Sequence, residues 1–202
     1  MTRSSSVLPL VLERLWQARQ PRAYRPGATL ARLAQDLNGL EVVGVDEGCP
    51  AYRLPAADWF FRVEERVESQ FLLHTVSCCF VLALPGTAPS RPSRLQLQHR
   101  GNWQRSGFAC LRREGDGAAL VGLMALLQQD RDLHTALMPL DFKRCELIAD
   151  EQGWRLEVEH FAASEVVGSF PPFRRYIRLL TTQKLALLAV MAAVRRVVAS
   201  AG

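Results

Sequence analysis

The chain has 202 residues, 49% of them hydrophobic and 22% charged, a globular composition that excludes extended disorder and suits one well-buried domain over residues 1–202. Against 20 aspartates and glutamates stand 25 lysines and arginines, and only Lys143 and Lys184 are lysines, so a formal charge of +5 is arginine spread along the chain and not a basic tail. Five cysteines, odd in number and without a C-x-x-C pair, exclude a disulfide framework and a zinc finger; buried thiols in a reducing compartment are the expectation.

The first residues carry a short apolar run, "VLPLVL", followed at once by Glu13 and Arg14. A secretory core runs about 7–15 apolar residues and ends in small ones, so this run reads as no signal peptide and points to the cytoplasm. Residues 1–26 read as a helix over 8–18 and an Arg/Pro-rich connector. A second short helix carries Leu30, Leu33, Ala34 and Leu37 and stops at Asn38-Gly39. "LEVVGV" then reads as a strand.

The middle of the chain is β. "WFFRVEERVES" alternates, with Trp59, Phe61, Val63 and Val67 on one face and Arg62, Glu64, Arg66 and Glu68 on the other, as in a half-buried strand with a charged outer side. Glu65 falls on the apolar side, which predicts a bulge there in preference to an inward charge needing a partner. "FLLHTVSCCFVLAL" is more uniformly apolar and reads as a central strand, its adjacent Cys78 and Cys79 on opposite faces. A turn-rich loop leads to "RLQLQH", and a further strand is expected over 107–111. Short connections between successive strands imply an antiparallel meander.

Helical spacing returns in "GDGAALVGLMALLQQD", with Leu120, Leu123, Met124 and Leu127 on one face and Asp116 placed as N-cap. "DLHTAL" reads as a short helix stopped by Pro139. "FKRCELIADEQGWRLEVEH" is a hairpin turning at 150–153, in which Trp154, Leu156 and Val158 alternate with Arg155, Glu157 and Glu159. "SFPP" breaks the chain before "FRRYIRLL". Trp59, Val63, Glu64 and Ser69 recur at one constant offset as Trp154, Val158, Glu159 and Ser164, which raises a pair of related helix-strand-strand halves.

The chain ends in "QKLALLAVMAAVRRVVASAG". Its unbroken apolar stretch is about half the roughly 20 residues that a membrane-spanning helix needs. Burying Arg195 and Arg196 in hydrocarbon would cost about 2.5–3.5 kcal/mol per charge. Leu187, Val190, Met191, Val194, Val197 and Val198 form a bulky stripe, and Ala186, Ala189 and Ala193 a small-residue face. The tail therefore reads as a core helix and not a transmembrane segment.

"RVESQF", "ALMPLDF", "GWRLEVEHFAASEVV" and "RRYIRLL…Q" resemble the pattern of an uncharacterised bacterial family known only as a domain of unknown function. The resemblance spans nearly the whole chain and implies no activity, ligand or site, so the residues carry the functional reading.

No G-x-S-x-G, H-E-x-x-H or G-x-G-x-x-G motif is present, and no metal, cofactor or catalytic residue is assigned. Glu64, Glu68, Glu157 and Glu159 share faces with arginines and read as solvated sheet faces. His74 and Cys78 lie four residues apart on a strand, about 13 Å and too far for a couple. His160 continues the inward register of Trp154, Leu156 and Val158 as a core or pocket histidine. Arg174, Arg175 and Arg178, with Arg195 and Arg196 and the interleaved Phe173 and Tyr176, are the candidate anion-binding set.

The expected architecture is α+β, an antiparallel sheet with helices packed on one face and the long apolar C-terminal helix in the core. A helix laid on a curved sheet encloses apolar space, and Trp59, Phe61, Trp154, Leu156 and His160 are the candidate lining. The leading expectation is a soluble, non-catalytic binding or accessory protein with a small apolar ligand or a protein partner. A weak nucleic-acid or anionic-surface binder and an enzyme of unrecognised type are the alternatives.

Overall fold

Side-chain alternation along the strands divides one antiparallel sheet into two unlike faces, an apolar inner face under the helices and a charged outer one. The computed structural model describes residues 24–46, 48–69, 73–87, 89, 91–101, 105–169 and 172–201; the predicted helix over 8–18 lies outside them. In chain order the elements are α1 (Ala28–Asp36), β1 (Glu41–Asp46), β2 (Cys49–Arg53), β3 (Phe60–Ser69), β4 (Leu73–Leu84), β5 (Ser93–Arg100) and β6 (Gly107–Glu114). α2 (Gly117–Gln129), α3 (Arg131–Leu137), β7 (Phe142–Asp150), β8 (Gly153–Ser169), β9 (Pro172–Ile177) and α4 (Thr181–Ala201) follow.

The strand order is β1-β2-β3-β4-β8-β7-β5-β6, with β9 paired to β8 beyond the end of β7. The fold is thus α+β, as expected. The meander holds from β1 to β4 and then breaks, because β4 takes β8 as its second neighbour and not β5. β4 and β8 are the two longest strands, and each is apolar enough to need cover on both edges. Two strands escaped the sequence reading. β2 is five residues long and contains Pro50, and β9 is the segment "PFRRYI" ahead of the tail helix.

On the inner face Phe61, Val63, Phe80, Leu82, Leu156 and Val158 are buried and share one core cluster with side chains from all four helices. Every member of the predicted α4 stripe, Leu187, Val190, Met191, Val194, Val197 and Val198, is buried. Ala193 is buried beside them and Ala186 half-buried, while Ala189 faces out. Lys184 is also buried, its Nζ donating to the Asn38 carbonyl at 2.8 Å and to Asn38 Oδ1 at 3.0 Å, which ties α4 to the turn that ends α1. No helix among the described residues is long and apolar enough to cross a membrane. Asp116 caps α2 as predicted, accepting from the Ala118 amide at 3.0 Å.

The bulge predicted at Glu65 is absent: β3 and β4 stay in register from Arg62 to Ser69. Glu65 points inward, and its partner is the start of α1. Gly27 begins that helix with φ 78° and no side-chain cap of its own. Glu65 Oε2 accepts from the Gly27 amide at 2.9 Å and from the Tyr24 hydroxyl at 2.6 Å, and Oε1 from the Thr29 and Leu30 amides at 3.1 and 3.2 Å. A carboxylate from a distant strand thus supplies the N-cap, where the helix dipole favours negative charge.

The irregularity lies in β8 instead. Ser77 of β4 pairs with Ser164 and Cys79 with Glu159, so β8 spends three extra residues around His160–Ala163, and Ala163 takes a positive φ of 55°. An odd insertion exchanges the faces. Glu157 and Glu159 point outward ahead of it, whereas Glu165 beyond it points inward. There Glu165 accepts from Arg32 of α1 at 2.8 Å and from the Thr29 hydroxyl at 3.4 Å. α1 is held at its far end by Asp36, which accepts from the Tyr176 hydroxyl at 2.9 Å, the Leu179 amide at 3.0 Å and Arg178 at 3.1 Å.

The sequence echo follows this geometry. Both tryptophan-led strands flank β4, and Val63–Phe80–Val158 and Glu64–Cys79–Glu159 are continuous rows across it. Past the β8 bulge the correspondence ends, since Ser69 lies in the inner register and Ser164 in the outer.

Replacing Glu65 by alanine strands three backbone amides at the start of α1 and should cost about 3 kcal/mol, by the usual worth of bonds to a charged acceptor. Glu64→Ala, on the outer face of the same strand, should cost less than about 1 kcal/mol. Urea unfolding midpoints of the two variants make the comparison, and equal losses would deny Glu65 its capping role.

Candidate functional site

The outer face of the sheet has two parts. Its middle is a charged belt built on the β3, β7 and β8 alternation. Arg66 reaches Glu157 at 2.6 Å, and Arg155 reaches the same carboxylate at 3.0 Å. Lys143 bridges Glu68 and, at 3.2 Å, Glu159, which also accepts from the Ser77 hydroxyl at 2.6 Å. Neighbouring side chains cover these carboxylates so well that Glu159 is 1% exposed. Its Oε2 accepts no hydrogen bond among the described residues, and Arg144 Nε lies 3.9 Å from it.

Burial is the largest single influence on Glu157 and would raise its pKa, but the Arg66 and Arg155 guanidiniums together overturn it and leave the carboxyl below its usual range. For Glu159, burial is likewise outweighed by Ser77, Lys143 and Arg144. Cys79, in the row between Glu64 and Glu159, is pushed up to about 12, chiefly by burial, so it is no nucleophile at neutral pH.

Beyond the belt, where β1 to β4 meet the β7–β8 turn, the face dips into a groove of about 710 Å³. Small side chains make its floor: Gly44 of β1, Ala51 of β2, and Val81 and Ala83 of β4. Val43, Phe60, Trp59 and Trp154 provide apolar walls, and Phe60 is 54% exposed. Gly44 deepens the floor by lacking a side chain, since a Cβ built there would meet nothing within 4 Å.

Every charged side chain on the rim among the described residues is already engaged. Arg53 holds Glu41 at 2.7 Å, Arg62 holds Asp46 at 3.4 Å, and Asp58 accepts from Arg195 of α4 at 2.8 Å. Arg155 is shared between Asp150 and Glu157. The groove's chemistry is therefore apolar recognition beside an ion-paired polar edge.

The candidate lining residues divide between two places. Trp59 and Trp154 border the groove and also pack with the core cluster, whereas Phe61 and Leu156 lie in that core and away from the groove. His160 is buried at the head of the β8 bulge, its Nδ1 accepting from the Ala162 amide at 2.8 Å and its Nε2 without a hydrogen bond among the described residues. Burial, chiefly, brings its pKa down to about 4, so the ring is neutral at physiological pH. The sequence missed the rest of the groove because β2 was not recognised; exposed Phe60 beside the alanine and glycine positions was the available signal.

The candidate anion-binding arginines also separate. Arg174 pairs with Glu165 and Arg178 with Asp36 near α1, while Arg195 and Arg196 sit on α4 and bind Asp58, Asp130 and Asp132. Among the described residues no group of three or more His, Cys, Asp or Glu side chains is placed to hold a metal ion.

The stability carried by Glu157 and Glu159 is fully present above the unfolded carboxylate value of about 4.3 and is lost as pH falls through their lower folded values. Urea midpoints of the protein should drop steeply with acid in that window, and the Glu157→Gln/Glu159→Gln double variant should show a flatter profile. An unchanged acid dependence would mean that other carboxylates govern it.

No curated protein and no solved structure matches the chain. The sequence pattern of the family described as "Protein of unknown function (DUF3156)" matches residues 35–198, which takes in β1 to β9 and the greater part of α4, and the chain belongs to that family.

Proposed function

We propose that this protein is a non-catalytic binding protein that holds the apolar part of a ligand or partner in the outer-face groove. The observation that supports this most is the exposed Phe60 standing over a floor of glycine, alanine and valine, in a hollow within the range of about 300–1,000 Å³ usual for ligand sites. The reading is non-catalytic because Asp46, Asp58, Arg53, Arg62 and Arg155 are each committed to an ion pair, and no histidine or cysteine lines the hollow. An acid or base needs a poised, available proton site, and engaged pairs do not offer one.

An apolar fluorophore tests the groove. With 1-anilinonaphthalene-8-sulfonate at neutral pH, the folded protein should give saturable fluorescence enhancement. Gly44→Trp fills the floor without backbone strain and should weaken it at least about tenfold, which is the loss of roughly 1.4 kcal/mol of contact. Enhancement that is absent, or indifferent to Gly44→Trp, would remove this reading.

The cysteines support a place in the reducing cytoplasm. Cys78, Cys79, Cys110 and Cys145 are buried as free thiols. Burial alone pushes Cys110 up to about 11. Protein taken from its native cells, denatured without reductant and alkylated, should gain an adduct on each of these four; a disulfide linking any two of them would contradict this placement.

A further inference from the structure

The edge of the sheet beside the groove carries a second signal. β1 is exposed at all six positions, Val42 and Val45 at 63% and 68%, and among the described residues only β2 pairs with it. An apolar strand with an open edge is a template for another strand, which proteins ordinarily blunt with lysine, proline or a short length. β1 has neither lysine nor proline. Its charges are Glu41 and Asp46, one at each end, with Val42, Val43 and Val45 between them. Although Arg53 and Arg62 reach back to these carboxylates from β2 and β3, Asp46 keeps 69% of its side chain exposed and Glu41 49%.

That arrangement selects the occupant. A second copy of β1 laid antiparallel about its centre would set Glu41 against Asp46 at both ends, and like charges directly opposite are destabilising. A strand with an apolar centre and basic ends meets opposite charge at both. Resting on the groove reading, we propose that the β1 edge is a docking site for an extended peptide of this kind, which pairs with β1 as an added strand. Backbone hydrogen bonds to β1 provide the affinity. Alternate side chains of the peptide turn to the outer face, where Gly44 and Ala51 leave room beside Phe60.

The probe is the fluorescein-labelled, amidated hexapeptide RVTVTR, titrated into the full chain and followed by anisotropy, with EVTVTE as its charge-reversed counterpart. RVTVTR should bind saturably and EVTVTE at least about tenfold more weakly, since like-charge juxtaposition at an interface costs more than that factor's 1.4 kcal/mol. Asp46→Lys, at an exposed rim position, should erase the preference, and the Glu41→Lys/Asp46→Lys double variant should reverse it. Methylating alternate backbone nitrogens of RVTVTR should abolish binding in one of the two phases and spare it in the other. If the protein takes the fluorophore but not RVTVTR, the strand proposal fails and the groove reading stands. Binding indifferent to both Asp46→Lys and backbone methylation would also overturn it, as would a β1-dependent dimer in sedimentation. Should the fluorophore fail while RVTVTR binds with the expected charge and backbone dependence, the groove reading falls and the strand site remains.

Discussion

The structure depends on the alternation of side chains across β3, β4 and β8, and on the one place where that alternation is reset. β4 pairs on both edges, so its inward residues Val76, Cys78, Phe80 and Leu82 fix which side chains of its neighbours face the helices. A slip of one residue would exchange the faces and bury the arginine-glutamate belt under α4. The β8 bulge makes such an exchange locally and by design: it sends Glu165 inward where Glu157 and Glu159 had gone outward. Without it, Glu165 would join the belt, and Arg32 and Thr29 of α1 would face the sheet without their acceptor.

The consequence is a division of labour among carboxylates of the same chemistry. On the inner face, Glu65 and Glu165 make directional bonds to one short helix, and Asp36 at the end of that helix accepts from Tyr176, Arg178 and Leu179. A nine-residue helix is marginal alone, and α1 persists because its amide start, its middle and its end are each bound from another element. On the outer face, Glu157 and Glu159 are enclosed by cations from neighbouring strands. Such belts contribute modestly to stability, because the cost of desolvating each carboxylate consumes much of the attraction. Their larger effect is specificity of register, since each pairing holds only when β3, β7 and β8 lie in their native alignment.

The fold class and the role of the tail were legible because both rest on periodicity. Leu187, Val190, Met191 and Val194 mark a helical face whatever packs against it, and the alternation from Phe61 to Val67 marks a strand. Glu65 misled because local pattern weighs an inward charge only by its cost, while its compensation comes from amides some 35 to 38 residues away in sequence. Register alone groups the candidate lining residues, for a related reason. Trp59 and Trp154 share an inward register with Phe61 and Leu156, and only their position at the end of the sheet lets them border the outer groove. Strand ends are where a two-face description ceases to hold, and sequence period carries no mark of it.

The groove and the exposed edge follow from one local choice. Where β1 and β2 meet, the register shifts at Val43, and the positions on either side of the pair, Gly44 and Ala51, are small. A larger residue at either would fill the hollow with the protein's own side chain and give β1 a hydrophobic contact to its sheet. The chain instead leaves that strand exposed at every position and Phe60 uncovered, a loss of burial worth about 1.5–3 kcal/mol for each large side chain left in water. β1 then owes its place to hydrogen bonds with β2 and to the Glu41–Arg53 and Asp46–Arg62 pairs. Large apolar side chains are exposed elsewhere too, Phe161, Leu180 and Leu185 among them, while Val43, Val45 and Phe60 stand together around the hollow. The small side chains of Gly44, Ala51 and Ala83 among those apolar walls are what make this corner a hollow and not a flat exposed patch.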